Sequence, residues 1–99
     1  MSKRKIHWDK KATKYLKEFI GYIRKDSLQN AEKVKSDILK SIKALSQRPE
    51  IHQPDKFKSN NNGNYRAFEL HRIRVAYFVK EDKIIIARIR HTSQEPLEY

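Results

Sequence analysis

Three side chains near the end of this chain have the chemistry to hold a phosphate and move protons: Arg88, Arg90 and His91. A guanidinium binds phosphate oxygens in a fixed forked geometry, and the unperturbed pKa of histidine, about 6.5, lies nearest to neutrality. These residues follow the apolar segment 84–87, so we predict that a β-strand carries them to the rim of a sheet. Because the chain also has a net charge of +11, a nucleic acid is the first ligand to consider.

Composition limits the kind of protein that can carry this site. The 99 residues, of which 37% are hydrophobic, predict a single domain over residues 1–99 with a thin core. The 23 Lys and Arg against 12 Asp and Glu predict a surface that attracts polyanions less strongly as salt rises. The absence of cysteine excludes disulfides and thiolate chemistry. No apolar run approaches the roughly 18 residues of a membrane span, so we expect a cytoplasmic protein that does not enter a membrane.

Neither a metal nor a cofactor is expected. The two glycines of the chain are too few for a glycine-rich phosphate loop. The histidines lack metal-ligand spacing, and there is no cysteine to complete a site. They are His7, His52, His71 and His91.

Apolar residues recur at a three-and-four spacing in two stretches, which predicts two amphipathic helices. Asp9 is the predicted N-cap of the first helix and Ser27 that of the second. Because few residues separate the two stretches, the helices must form an antiparallel hairpin. The apolar stripes are Ala12, Tyr15, Leu16, Phe19, Ile20 and Ile23 in the first helix, and Ala31, Val34, Ile38, Ile42 and Leu45 in the second.

A short strand precedes the helices and three strands follow a loop at residues 49–64. The predicted strands are residues 5–8, 65–70, 72–79 and 83–91. We therefore predict an α+β fold in the order β-α-α-β-β-β, with the helical hairpin packed on one face of a small, mainly antiparallel sheet. In the third strand Arg72 and Arg74 alternate with apolar residues, so the other face is expected to be free for a ligand.

Six segments spread along nearly the whole chain carry a resemblance to a known family. They are Trp8-Asp9 with Ala12 and Leu16, Asn30-Ala31, Leu45 with Pro49, Tyr65-Arg66-Ala67-Phe68, Ile73-Arg74-Val75-Ala76-Tyr77, and Ile86-Ala87-Arg88-Ile89-Arg90-His91. In this order and spacing they resemble the RelE/ParE superfamily of bacterial toxins from type II toxin-antitoxin modules.

The resemblance implies a small basic protein that arrests growth and that a cognate antitoxin holds inactive. RelE-like members enter the ribosome and cut mRNA, whereas ParE-like members lack that chemistry and poison DNA gyrase. We expect a toxin that acts by ribosome-dependent, metal-independent mRNA cleavage, with non-enzymatic inhibition of gyrase as the alternative. A basic domain without toxicity is the third hypothesis.

For mRNA cleavage, the candidate catalytic residues are His91, Tyr99 and Arg66. His91 is the natural acid or base, while Tyr99 resembles the tyrosine near the end of RelE-like tails and Arg66 the arginine common on the second strand. The candidate nucleic-acid contacts are Lys56, Lys58, Arg74 and Arg90. The chain departs from RelE-like tails at residues 92–96, which hold none of the further arginines found there.

Each of these side chains also has a purely structural interpretation. Strict alternation places His91 on the same side as Ile85 and Ile89, where it would bond to the backbone at the strand end. Tyr99 could be a mobile chain end. Arg66 and Arg74 could simply cover an exposed sheet face.

Overall fold

The computed structural model describes residues 3–94 and residue 99. The elements are β1 (Lys5–Trp8), α1 (Lys10–Asp26), α2 (Leu28–Ala44), β2 (Tyr65–Leu70), β3 (Ile73–Val79) and β4 (Lys83–His91). Short 3-10 turns lie at Pro49–Ile51 and Thr92–Gln94. The predicted α+β class and the order β-α-α-β-β-β are confirmed.

Side-chain caps start both helices, as predicted. The Asp9 carboxylate accepts a 2.8 Å hydrogen bond from the Lys11 N–H at the start of α1. Ser27 ends α1, because its N–H donates to the Ile23 carbonyl at 3.0 Å, and its hydroxyl accepts from the Asn30 N–H at 3.0 Å to start α2. A single residue therefore reverses the chain between the helices, which makes the hairpin tight.

The four strands form one sheet in the order β1-β4-β3-β2. β1 is parallel to β4, while β4, β3 and β2 are antiparallel to one another. We call the side on which the hairpin packs the helical face and the opposite side the outer face. The core between hairpin and helical face includes Ile38, Leu45, Tyr77, Ile84 and Ile86, all 0% exposed.

A β-bulge in β4 decides which side chains reach each face. Tyr77 pairs with Ile86 and Ala76 pairs with Arg88, so Ala87 is the extra residue. Before the bulge Ile86 is buried on the helical face, and after it Ile89 takes that place. Without the bulge, strict alternation would have put Arg88 on the helical face.

The predicted common side is therefore right for His91 and Ile89 and wrong for Ile85. Ile85 pairs with Phe78 on the outer face, whereas Ile89 and His91 follow the bulge and lie on the helical face. The extra residue at Ala87 shifts the alternation by one position, a change that the local sequence did not indicate.

The turn between β2 and β3 also differs from the prediction. Arg72 is not in the third strand beside Arg74, because β3 begins at Ile73. His71 and Arg72 instead form the two-residue turn, with φ of 52° and 66°. Such left-handed conformations suit hairpin turns but are strained in residues with a side chain.

The outer face is not free, which corrects the expectation of an open ligand surface. It comprises Tyr65, Ala67, Glu69, Arg74, Ala76, Phe78, Ile85, Arg88 and Arg90. Asp55, Phe57 and Lys58 of the long loop contact this face, as does Tyr99. The Asn61 side chain shapes the loop, since it accepts from the N–H groups of Gly63 at 2.9 Å and Tyr65 at 3.1 Å. Gly63, at φ 98°, supplies a conformation that residues with a side chain rarely adopt.

Candidate functional site

Asp55 is the centre of a polar cluster on the outer face. It is 3% exposed, and its carboxylate accepts hydrogen bonds from Arg74 Nη2 at 3.0 Å and from the Tyr99 hydroxyl at 2.5 Å. The Phe57 N–H donates to the same carboxylate at 3.1 Å. The loop holds Asp55 in place because its own N–H donates to the Tyr65 carbonyl at 2.8 Å, at the edge of β2.

The cluster keeps Asp55 ionised and Tyr99 protonated. Burial by itself raises the pKa of Asp55, but hydrogen bonds from Tyr99, Phe57 and Arg74 outweigh it, so the pKa is lowered. Burial, followed by the hydrogen bond to Asp55, raises the pKa of the Tyr99 phenol. At neutral pH Tyr99 is therefore a hydrogen-bond donor and not a proton acceptor.

Tyr99 is held by its backbone as well as by its hydroxyl. Its N–H donates to the Phe57 carbonyl at 3.0 Å, and its carbonyl accepts from the Ser59 N–H and hydroxyl, each at 2.7 Å. The Arg88 guanidinium lies 4.3 Å from the centre of the Tyr99 ring, and the Tyr65 ring meets it edge-on at 6.0 Å. These contacts fix the ring on the outer face.

The candidate lysines differ in how closely they join this cluster. Lys58 Nζ donates to the Tyr99 carbonyl at 3.3 Å and lies 5.0 Å from the centre of the Tyr65 ring. Lys56 Nζ is 5.2 Å from the centre of the Phe57 ring, and Lys56 is exposed. Lys58 therefore belongs to the cluster, whereas Lys56 lies at its border.

Arg74 and Arg90 are directly opposite each other on β3 and β4. Arg74 is ion-paired through both terminal nitrogens, Nη2 with Asp55 and Nη1 with Glu69 at 2.8 Å. Within residues 3–94 and 99, two buried side-chain nitrogen atoms have no hydrogen-bond partner. They are Arg74 Nε and Arg90 Nε. Leaving a buried donor unsatisfied costs about 1 to 3 kcal/mol.

His91 lies on the helical face, beside α1. Its N–H donates to the Tyr15 hydroxyl at 2.8 Å, and its ring meets the Phe19 ring edge-on at 6.3 Å. His91 Nδ1 accepts from the Ser93 N–H at 3.1 Å. Nδ1 is also 2.7 Å from the Ser93 hydroxyl, so both of these hydrogen-bond contacts are with Ser93.

Arg66 is also on the helical face but at a distance from His91. Its Nη1 donates to the His52 carbonyl at 2.6 Å. Arg66 is opposite Tyr77, whereas His91 is opposite Ile73 on the same strand. Four residue positions along a strand correspond to about 13 Å.

The structure therefore brings only part of the predicted site together. Tyr99, Lys58 and Arg74 share one cluster, with Arg90 as the cross-strand neighbour of Arg74. His91 and Arg66 lie on the other face and apart from each other. Asp55, which links the cluster, was missed; its one signal is that it is the only acidic residue between Pro54 and Tyr65.

Two general features of the described residues bear on the chemistry. None of the helices in the part of the chain that the structure describes is long and apolar enough to cross a membrane. Over the same residues, no three or more His, Asp or Glu side chains form a group that could hold a metal ion.

Comparisons with known proteins concern nearly the whole chain. A family model described as the ParE toxin of the type II toxin-antitoxin system parDE matches residues 6–96. A solved structure titled "Chromosomal ParDE TA system from P. aeruginosa" is similar, with a TM-score of 0.69 and 23% identity, over 89% of this chain and 95% of that chain. At that identity the likeness concerns the fold. A search of the curated proteins found no match.

Proposed function

Because this chain belongs to the ParE toxin family of type II toxin-antitoxin systems, we propose that it arrests growth by inhibiting DNA gyrase without cleaving RNA. Membership of the family implies an antitoxin as partner. The observation that carries the choice of target is the separation of His91, Arg66 and Tyr99, the three residues that RNA cleavage was expected to use. Gyrase inhibition was the alternative in the sequence-based prediction, and the geometry now favours it.

RNA cleavage by the neighbouring 2′-hydroxyl needs a base, an acid and a cation within reach of one phosphate. Proton transfer requires heavy atoms about 2.6 to 3.2 Å apart. The backbone positions of His91 and Arg66 lie on opposite sides of β3 and are offset by about 13 Å along the strand direction, and Tyr99 is on the other face of the sheet. The Tyr99 hydroxyl moreover donates a hydrogen bond to the Asp55 carboxylate. These distances support a binding function over a nuclease built from the three residues.

The exposed surface of the helical hairpin supports a protein target. Of the described residues, four large hydrophobic side chains are exposed, and three of them are on the hairpin: Tyr22 at 69%, Leu28 at 61% and Leu39 at 39%. Aromatic side chains such as that of Tyr22 are enriched at protein interfaces relative to the rest of the surface. We therefore expect the hairpin to contact the target.

The proposal is tested by adding the purified protein to DNA gyrase in a supercoiling assay, and by inducing it in bacteria while new mRNA 5′ ends are mapped. We expect supercoiling to be inhibited and transcripts to stay intact. Tyr22→Ala should weaken inhibition and toxicity, whereas the matched control His91→Ala should leave both unchanged. Cuts in reading-frame register that disappear with His91→Ala, together with unaffected gyrase, would refute the proposal.

Cleavage of mRNA is the second candidate because one cavity on the helical face contains groups suited to it. This cavity, of about 550 Å³, is lined in part by Tyr15, His71, Arg72 and His91. Two histidines and an arginine supply the kinds of group that transfer protons and stabilise the charge of a phosphate. The 5′-end mapping described above distinguishes this candidate from gyrase inhibition.

A further inference from the structure

We propose that Arg74 and Arg90 form an oxyanion site on the outer face, that Asp55 blocks this site in the resting protein by pairing with Arg74, and that its ligand is a phosphate group. The inference is independent of the target of the toxin. It begins from the Nε–H donors of Arg74 and Arg90, the two buried side-chain nitrogen atoms for which the described part of the chain offers no hydrogen-bond partner.

The two donors are placed for one ligand. Arg74 and Arg90 are paired across antiparallel strands and point to the same face. Side chains in such pairs start about 5 Å apart at Cβ, so a single tetrahedral oxyanion can reach both guanidinium groups. Phosphate is suited to the site because it presents several strong acceptor oxygens and forms charge-assisted hydrogen bonds with arginine.

An internal carboxylate already occupies part of this position. Asp55 Oδ1 accepts from Arg74 Nη2 at 3.0 Å, and the Asp55 side chain is only 1% exposed. An incoming anion must therefore compete with Asp55 for Arg74. The net charge of +11 favours such an anion, because it raises the local concentration of polyanions around the protein.

Tyr99 holds the Asp55 carboxylate in place. Its hydroxyl donates to Asp55 Oδ2, and its backbone is tied to Phe57 and Ser59. Tyr99→Phe removes the donor to Asp55 while keeping the ring on Arg88 and the backbone bonds. Asp55 is then held less strongly and competes less well for Arg74, so this variant should bind phosphate more tightly than the wild type.

The test is a titration with pyrophosphate, followed by NMR of the arginine Nε–H groups in the full chain. In the wild type the Arg74 and Arg90 signals should shift together. Tyr99→Phe should bind about three- to tenfold more tightly, the order expected for loss of one net hydrogen bond. Tyr99→Phe/Arg90→Gln should lose the gain, and Tyr22→Phe, an exposed tyrosine on α1, should match the wild type.

The proposal is overturned if pyrophosphate shifts the signals of surface lysines but leaves both Nε–H groups unmoved. It is overturned also if Tyr99→Phe binds no more tightly than Tyr22→Phe, or if the gain persists in the double variant. A glutamate-rich peptide that shifts the two signals where pyrophosphate does not would show that the ligand class is wrong. If a Tyr99 variant does not fold, the pyrophosphate titration of the wild type is by itself sufficient to test the proposal.

Discussion

The sheet itself separates His91 from Tyr99. The His91 backbone bonds to the Tyr15 hydroxyl on α1 at 2.8 Å, whereas the Tyr99 hydroxyl bonds to Asp55 on the outer face at 2.5 Å. The bulge at Ala87 produces this arrangement. It adds one residue to β4, so His91 lies on the helical face and not on the outer face, where strict alternation from Ile86 would have placed it. A histidine and a tyrosine that are close in sequence thus cannot act on one phosphate in this structure.

Asp55→Asn is expected to lower the free energy of unfolding by about 3 kcal/mol at pH 7. The substitution removes one partner of a buried ion pair, and the loss lies at the low end of the usual range because Glu69 still pairs with Arg74. Chemical denaturation monitored by circular dichroism measures it. Asp37→Asn, which breaks a more exposed pair with His71, is the control and should cost less.

The Asp55 carboxylate should make the stability of the protein fall in acid. Since the pKa of Asp55 is lowered in the fold, the unfolded chain takes up a proton first as pH falls below about 3.9. The stability that Asp55 contributes is present above that value and is lost as pH falls through the lower, folded pKa. Stability measured between pH 6 and pH 2 should therefore decline less in Asp55→Asn than in the wild type. Parallel curves for the two proteins would contradict this.

Tyr77→Phe should weaken the fold at neutral pH and flatten its response to alkali. The Tyr77 hydroxyl donates to the Pro49 carbonyl at 2.7 Å in the core, so its removal should cost about 1 to 2 kcal/mol. Burial raises the pKa of Tyr77 from 10.0 to about 12. The wild type should lose stability as pH rises between those values, by up to about 1.4 kcal/mol per pH unit.

Denaturation at pH 8 and pH 11.5 tests this expectation. Tyr99→Phe must be measured beside Tyr77→Phe, because the pKa of Tyr99 is raised too and contributes to the alkaline loss. Tyr22→Phe, at 69% exposure, should behave as the wild type does. An alkaline slope that is the same in all four proteins would refute the assignment.

Ile38→Ala should destabilise the protein by about 2 to 5 kcal/mol, because Ile38 is 0% exposed at the centre of the hairpin's inner face. Leu39→Ala, the next residue on α2, is the matched control. Leu39 is 39% exposed, so we expect the control to lose less than about 2 kcal/mol. Equal losses at the two positions, measured by urea denaturation, would show that the inner face is assigned incorrectly.

Arg72→Gly should stabilise the protein, which is unusual for a substitution by glycine. Arg72 has φ of 66°, and relief of this strain outweighs the entropy of the glycine, for a gain of about 0.5 to 1 kcal/mol. Glu81→Gly in the other hairpin turn is the control and should lose stability, since Glu81 has no positive φ to relieve. Thermal unfolding compares the two, and a loss at both positions would contradict the prediction.

The sequence by itself determined the helices, their caps and the order of elements. Asp9 and Ser27 bond to N–H groups two or three residues away, and the apolar spacing depends on the helix period alone. Interactions between residues so close in the chain depend only on the sequence of a short segment. The resemblance to a toxin family arose in the same way, from local segments in a fixed order.

Only the tertiary structure decided which side chains meet. The bulge at Ala87 exists because of pairing with β3, and it exchanged the faces of Arg88 and His91. Asp55 became the centre of the site through Arg74 and Tyr99, which are 19 and 44 residues away. Pairing register and contacts between distant residues follow from the packing of the whole chain, so no local pattern revealed them.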